Sequence, residues 1–142
     1  MSAMQTATFA GEFASLKAIG KFVSRAAGVA GLDEQATYAV QMAVDEACSN
    51  IIEHAYGDEL AGDIVCTLEV TPESLTVILR DRGRCFDPTQ VAKPCLDASL
   101  KDRLLGGLGV YFMHKLMDRV DHRFEPGTGN VLTMVKQRTP SP

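Results

Sequence analysis

Apolar residues in the first part of the chain repeat every three or four positions. The repeat starts after Phe13 and stops before Gly28 and Gly31, which gives it the period and length of an amphipathic helix. Its members are Leu16, Ile19, Val23, Ala26 and Ala27. The pattern therefore predicts a first helix that begins at Phe13 and ends at these glycines.

A second helical repeat follows directly and has clear start and stop signals. Asp33 is a favourable N-cap, and a run of helical length continues from it to Tyr56. His54 near the end of this run and Gly57 just after it are typical of a helix C-terminus. We therefore expect a second helix from Asp33 to Tyr56.

The apolar period then changes to two, which is the period of a β-strand. Residues 64–70 and 75–81 both alternate, and the four residues between them include Pro72. This pattern predicts a β-hairpin. Asp81 falls on the same side of its strand as the core-facing residues, so a carboxylate is expected at the buried end of the hairpin.

No period holds from Pro88 to Leu105, and a connection of this length suggests a functional lid over about 88–106. A turn over Pro126–Asn130 then separates two further predicted strands. The last predicted elements are a helix over Leu108–Met117 and strands over Arg119–Phe124 and Val131–Lys136.

This order of elements predicts an α+β fold. Two helices, a hairpin, a lid, a helix and a second hairpin fit a two-layer α/β sandwich, a mostly antiparallel sheet with helices on one face. The 142 residues suffice for one domain, which we place at 1–138 with a disordered tail at 139–142.

Composition and charge narrow the class of protein. Apolar residues at 46% and charged residues at 23% are near globular averages, and the net charge of −4 lacks the basic excess of a typical nucleic-acid binder. No apolar run approaches the length of a membrane span, and no leader is visible. The four scattered cysteines form no CxxC pair and give no spacing signature for zinc. We expect a cytoplasmic, thiol-reduced protein that binds neither nucleic acid nor membrane directly.

Three short motifs carry candidate chemistry, and the first lies in the second predicted helix. Glu46 and Asn50 are four residues apart, as are Asn50 and His54, so the three share one helical face. An amide oxygen suits Mg²⁺, and a carboxylate one turn away could deprotonate a hydroxyl. A plain solvated helix face is the alternative.

The second and third motifs fit the base and the phosphates of a nucleotide. Asp81, at a strand end, would accept a hydrogen bond from a purine amine, and Gly83 would let the backbone approach the base. Gly106, Gly107 and Gly109 lead into a helix whose N-terminal amides would favour phosphate. A polar turn and a flexible loop are the respective alternatives.

Together and in this order, the segments Val44–Tyr56, Asp81–Pro88 and Gly106–Asp118 resemble the N, G1 and G2 boxes of the GHKL, or Bergerat, ATP-binding fold. They are most similar to the stand-alone anti-sigma-factor serine kinases of the RsbW and SpoIIAB type. The resemblance extends from Phe13 to Lys136.

The resemblance implies a role for each matching residue. It makes Glu46 the catalytic glutamate that activates the substrate serine, Asn50 the magnesium ligand, and Asp81 the adenine-reading aspartate. Other ATP-binding residues that it implies are Gly83, Phe86, Gly106, Gly107, Leu108, Gly109 and, as the hydroxyl near adenine on the core-facing side of the last strand, Thr133. Cys85 departs from the pattern, because many relatives have a second glycine there.

The implied function is that of an ATP- and Mg²⁺-dependent serine/threonine kinase that phosphorylates a STAS-type anti-sigma-factor antagonist and regulates a sigma factor. The resemblance also implies a homodimer, joined through a sheet edge or the first helix. The alternative is a non-catalytic ATP- or ADP-binding module that sequesters a sigma factor or another regulator. An unrelated α+β protein without a nucleotide remains a further alternative.

Overall fold

A computed structural model describes residues 3–57, 62–85 and 113–138. These residues form two α-helices, α1 (Leu16–Val29) and α2 (Glu34–Asn50), with a 3₁₀ turn before α1 and a π-helical segment, Ile51–Tyr56, after α2. Residues 113–116 are also helical, and the rest of the predicted helix Leu108–Met117 lies outside the described residues. The strands are β1 (Ala3–Ala10), β2 (Asp63–Val70), β3 (Ser74–Asp81), β4 (Arg119–Glu125) and β5 (Gly129–Gln137).

The strands form one antiparallel sheet in the order β1-β2-β3-β5-β4. The second hairpin is inserted so that β5, not β4, pairs with β3. This places the end of β3 directly beside the start of β5, where Asp81 is opposite Asn130. The arrangement confirms the predicted α+β sandwich.

The core lies between the helices and one face of the sheet. Ile19 and Val23 of α1 are fully buried, as is Val40 of α2, and they belong to one cluster with the inward residues of β3. Full burial of one such side chain contributes about 1.5–3 kcal/mol. The sheet residues of this cluster are Ile64, Cys66, Leu68, Leu75, Val77, Leu79, Leu132 and Met134.

Helix α2 begins as predicted but ends differently. The Asp33 side chain caps it by accepting from the Ala36 N–H at 2.7 Å, a contact that typically stabilises a helix by about 1 kcal/mol. After Asn50 the α-helical pattern changes to π-helical turns that close with Gly57 in a left-handed conformation, φ 64°. The Ala55 carbonyl accepts from the Arg84 N–H at 2.8 Å, which ties this segment to the loop after β3.

Strand β1 was not predicted from the sequence. It pairs with β2 along its whole length, from Ala3 opposite Val70 to Ala10 opposite Asp63. Most of its side chains are exposed on both faces, so it lacks the alternation by which a half-buried strand is recognised. No helix in the described part of the chain is long and apolar enough to cross a membrane.

The cysteines differ from the expectation of a fully reduced protein. Cys48 and Cys66 are buried free thiols, and burial raises the pKa of Cys66 to about 12. Cys85, however, is disulfide-bonded. The predicted G1 motif therefore contains an oxidised sulfur.

Candidate nucleotide-binding site

Asp81 is a buried carboxylate at the end of β3, with 4% of its surface exposed. Its Oδ1 accepts two hydrogen bonds, from the Gly83 N–H at 2.8 Å and from Asn130 Nδ2 at 2.9 Å. Burial raises the pKa of Asp81, while these two hydrogen bonds and the nearby His122 act in the opposite direction. A carboxylate buried in this way is suited to accept a hydrogen bond from a ligand.

Asn130 organises this end of the site. Its Nδ2 donates both to Asp81 and to the Arg84 carbonyl at 2.9 Å, and its Oδ1 lies 2.9 Å from His122 Nε2. The sequence predicts Asn130 only as the last residue of the turn after Pro126, with no role in the site. The signal that could have found it is the register of the last hairpin against β3, which sets Asn130 opposite Asp81.

Two glycines allow close backbone contacts around Asp81. A Cβ on Gly83 would lie 2.4 Å from the Ala55 carbonyl oxygen, so the structure gives this glycine a packing role against the π-helical segment. A Cβ on Gly129 would lie 2.0 Å from the Asp81 carbonyl oxygen, and Gly129 has a φ of 113° that L side chains rarely adopt. The backbone therefore packs closely around Asp81 only because Gly83 and Gly129 have no side chain.

Asn50 ends α2 on the same side of the sheet as Asp81. It is 5% exposed, and its Nδ2 has no hydrogen-bond partner among the residues that the structure describes. It lines a cavity of about 10 Å³ with Asp81, His122 and Asn130, which has room for one water at most. A buried amide without a partner costs stability, and its position beside a carboxylate fits a residue that binds a ligand. The amide oxygen of Asn50 is of the type that Mg²⁺ prefers.

Glu46 lies one helical turn before Asn50 and is half-buried. Burial raises its pKa, and the nearby carboxylates of Glu53 and Asp45 raise it further, while His54 lowers it. Glu46 also lines a groove of about 330 Å³ between α1 and α2. A carboxylate with a raised pKa at the edge of a groove can accept a proton from a hydroxyl that enters it.

The other predicted site residues fall into two groups. Thr133 pairs with Ile78 in the register of β3 and β5, which puts it on the sheet face opposite to Asp81, so its predicted position on the core-facing side is wrong. The reason is that β5 begins at Gly129, and Asn130, Leu132 and Met134 face the helices. The predicted lid lies outside the described residues, as do Phe86, Gly106, Gly107, Leu108 and Gly109.

Comparison with known proteins adds to this geometry. The chain is 37% identical over 101 residues to the serine-protein kinase RsbW of Bacillus velezensis, which covers 68% of this chain and 62% of the relative. It is 31% identical over 103 residues to the serine/threonine-protein kinase BtrW of Bordetella bronchiseptica, with 72% of each chain covered. The chain thus spans less than two thirds of the length of RsbW.

A solved structure supports the fold. The histidine kinase domain of a blue-light-activated histidine kinase from Erythrobacter litoralis matches with a TM-score of 0.53 at 18% identity, covering 87% of this chain and 59% of that one. The family model of the histidine kinase-like ATPase domain matches residues 9–136, nearly the whole chain. This protein therefore belongs to the family of histidine kinase-like ATPase domains.

Proposed function

We propose that this protein is an ATP-dependent serine/threonine protein kinase that acts as an anti-sigma regulatory factor. One observation carries the proposal. The buried carboxylate of Asp81 and the unpartnered buried amide of Asn50 share a cavity, and Glu46 lies one helical turn from Asn50. A base-reading group, a metal ligand and a proton acceptor suit phosphoryl transfer from ATP, in which catalysis consists mainly of positioning and charge neutralisation.

In this proposal the adenine amine donates a hydrogen bond to Asp81, on the side of the site that Asn50 also lines. Asn50 would hold Mg²⁺ through its amide oxygen, and the ion would neutralise charge on the phosphates. We assign the remaining nucleotide contacts to Gly83 and to five residues outside the described ranges. These are Phe86, Gly106, Gly107, Leu108 and Gly109.

Glu46 is the proposed catalytic residue. The substrate hydroxyl oxygen attacks the γ-phosphorus of ATP, the bond to the β–γ bridging oxygen breaks, ADP leaves, and the hydroxyl proton passes to the Glu46 carboxylate. The raised pKa of Glu46 supports this role, because a general base works best when its pKa is near the working pH.

The proposed substrate is a serine or threonine on a STAS-type anti-sigma-factor antagonist. The second proposed partner is a sigma factor, and the proposed location of both interactions is the cytoplasm. The similarity of this chain to a serine-protein kinase and to a serine/threonine-protein kinase supports this proposal. We also propose a homodimer. Strand β1 supports it, because β1 is at the edge of the sheet and pairs with β2 alone within the described residues.

Labelled ATP and a STAS protein test the function directly. The wild-type protein should transfer label to the STAS protein, and Glu46→Gln should transfer it about 10²- to 10⁴-fold more slowly while still binding ATP. Glu34→Gln, an exposed carboxylate in the first turn of the same helix, is the matched control and should behave as wild type.

Two outcomes would contradict the proposal in different ways. ATP binding by the wild type without any transfer would indicate the non-catalytic binding module. Undiminished transfer by Glu46→Gln would refute the role of Glu46 as base but leave the kinase activity standing.

A further inference from the structure

We propose that Asn130, held by His122, makes the nucleotide site selective for adenine over guanine by keeping one oxygen of Asp81 occupied. This inference rests on the proposed function, because it concerns the same purine site. Neither residue was assigned a role by the sequence motifs. What carries the proposal is a chain of three hydrogen-bonded side chains, Asp81, Asn130 and His122.

The direction of the hydrogen bonds along this chain is fixed by the Arg84 carbonyl. A backbone carbonyl can only accept, so the Asn130 atom 2.9 Å from it must be the NH₂ group. The same NH₂ group donates to Asp81 Oδ1, which engages both of its protons. Asn130 Oδ1 must then face His122, and His122 Nε2 must carry the proton that it donates.

This arrangement leaves Asp81 with one oxygen for a ligand. Oδ1 accepts from Asn130 and from the Gly83 N–H, which fills the two lone-pair positions of a carboxylate oxygen. Among the described residues no hydrogen bond reaches the second oxygen, Oδ2. The site therefore offers a purine a single buried acceptor.

A single acceptor matches adenine and disfavours guanine. The Watson–Crick edge of adenine has one donor, the 6-amino group, beside an acceptor nitrogen. Guanine presents two adjacent donors, the N1–H and the 2-amino group, which pair best with both oxygens of one carboxylate. To bind guanine in that way, Asn130 would have to leave Asp81 and Arg84 together and also give up its contact with His122.

His122 is a positioning residue in this scheme. It is half-buried on β4, and its Nε2 contacts Asn130 rather than the carboxylate itself. Its removal should therefore loosen Asn130 and weaken the selectivity less than removal of Asn130 does. A side chain that keeps an N–H donor of similar reach, such as glutamine, should preserve it.

The wild-type protein already gives a test. Inosine triphosphate differs from GTP only by lacking the 2-amino group. With Asp81 Oδ1 occupied, the 2-amino group has no second acceptor, so GTP should bind no more tightly than inosine triphosphate, and ATP should bind about tenfold more tightly than GTP. GTP that binds tenfold tighter than inosine triphosphate would overturn the proposal, because it would show that both Asp81 oxygens are open.

The variants sharpen the test. Asn130→Ala should cut the ATP-over-GTP preference about tenfold and make GTP bind about tenfold tighter than inosine triphosphate, as expected when a second hydrogen bond forms. His122→Ala should shift both ratios less, and His122→Gln should restore them. Gln137→Ala removes an exposed amide at the far end of β5, and Asp121→Ala removes an exposed carboxylate next to His122; both should leave the ratios unchanged.

The measured ratios separate this proposal from a merely structural role and from the proposed function. An Asn130→Ala protein that loses affinity for all three nucleotides by the same factor would overturn the selectivity and leave ATP binding intact. If Asn130→Ala does not fold, unchanged ratios in His122→Ala together with a tenfold gap between GTP and inosine triphosphate in the wild type would overturn it. A wild type that binds none of the three nucleotides would overturn the proposed function, and this inference with it.

Discussion

The two ends of the candidate site are built in opposite ways. At the purine end, Asp81 and Asn130 lie on paired strands, and their side chains are joined by hydrogen bonds to each other and to the neighbouring loop. At the transfer end, Glu46 lies on a helix, half-buried and surrounded by other carboxylates. The comparison indicates that the hydrogen bonds that fix Asp81 form within the protein itself, whereas the environment of Glu46 is set by burial and by neighbouring charges.

Both ends contain a carboxylate with a raised pKa, but the causes differ. Burial is the largest cause in each case. Around Asp81 the remaining influences lower the pKa, since hydrogen bonds from Asn130 and Gly83 favour the charged form. Around Glu46, Glu53 and Asp45 add repulsion. Hydrogen bonds thus oppose the effect of burial on the pKa of Asp81, whereas neighbouring carboxylates add to the effect of burial on the pKa of Glu46.

The largest effect should come from the backbone of the purine end. Gly129→Ala would place a Cβ against the Asp81 carbonyl oxygen at a position with a φ of 113°. We therefore expect the free energy of unfolding to fall by about 3 kcal/mol or more. Gly127→Ala is the matched control, because Gly127 has a φ of 85° but open space around it, and it should lose about 1 kcal/mol. Urea unfolding measures both, and equal losses would mean that the close approach to Asp81 is not tight.

The next effect is on nucleotide affinity. Asp81→Asn removes the proposed acceptor for the adenine amine, and a hydrogen bond to a charged group contributes about 1.5–3 kcal/mol. We therefore expect the dissociation constant for ATP to rise about 10- to 100-fold, measured by calorimetry. Asp121→Asn, which removes an exposed carboxylate on β4, should leave it unchanged.

The same Asp81→Asn variant should be more stable than the wild type without nucleotide. The pKa of Asp81 is raised in the folded protein, so its favourable contribution is present below the unfolded pKa and is lost as the pH rises through the folded pKa. Above the pKa of the folded protein the asparagine avoids the cost of a buried charge, and the melting temperature should increase. The difference in melting temperature between variant and wild type should shrink as the pH falls below the pKa of Asp81 in the folded protein. A variant that melts at a lower temperature than the wild type at every pH would show that the Asp81 carboxylate does not destabilise the fold.

Asn50 connects the two ends, and its substitution tests the metal. If the Asn50 amide oxygen binds Mg²⁺, the ion should raise the affinity of the wild type for ATP about tenfold or more, and Asn50→Ala should abolish this increase. The free energy of unfolding should change little for a buried polar position, because the Asn50 Nδ2 already lacks a partner within the described ranges. Calorimetry with Mg²⁺ and with EDTA makes the comparison, with Ser49→Ala as control. Equal dependence on Mg²⁺ in Asn50→Ala and wild type would remove Asn50 from the metal site.

The sequence predicted most of the fold but not every end of its elements, since α2 changes to a π-helical segment after Asn50. Amphipathic spacing identified α1 and α2, and alternation identified β2 and β3, because each of these elements buries one face. Strands β4 and β5 were predicted from the turn residues between them. Strand β1 was missed because its stability comes from backbone pairing with β2 rather than from a buried face. The prediction of Asp81 at a buried strand end is confirmed, since that position follows from the parity of β3 alone.

The parts of the site that the sequence could not predict depend on pairing between distant segments. Asn130 and Asp81 are 49 residues apart, and only the insertion of β5 beside β3 brings them together. Thr133 was placed on the wrong face because the parity of β5 depends on where the strand begins, at Gly129, and one residue of offset reverses every side chain. Alternation therefore predicts which residues of one strand share a face, but not which strand lies beside it.

The smallest predicted effect is a pH shift at the transfer end. Glu46 must be deprotonated to act as a base, so the transfer rate should rise with pH through its pKa, which burial and the charges of Glu53 and Asp45 raise. Glu53→Gln removes one repulsive charge and should move this rise to lower pH, whereas His54→Gln removes a charge that lowers the pKa and should move it to higher pH. Single-turnover transfer of label from pH 4 to 8 measures both, and Glu34→Gln, far along the same helix, should move neither way. Shifts of the same sign in Glu53→Gln and His54→Gln would mean that the rise in transfer rate reflects the titration of a group other than Glu46. The transfer end would then lack the carboxylate with a charge-raised pKa that distinguishes it from the purine end.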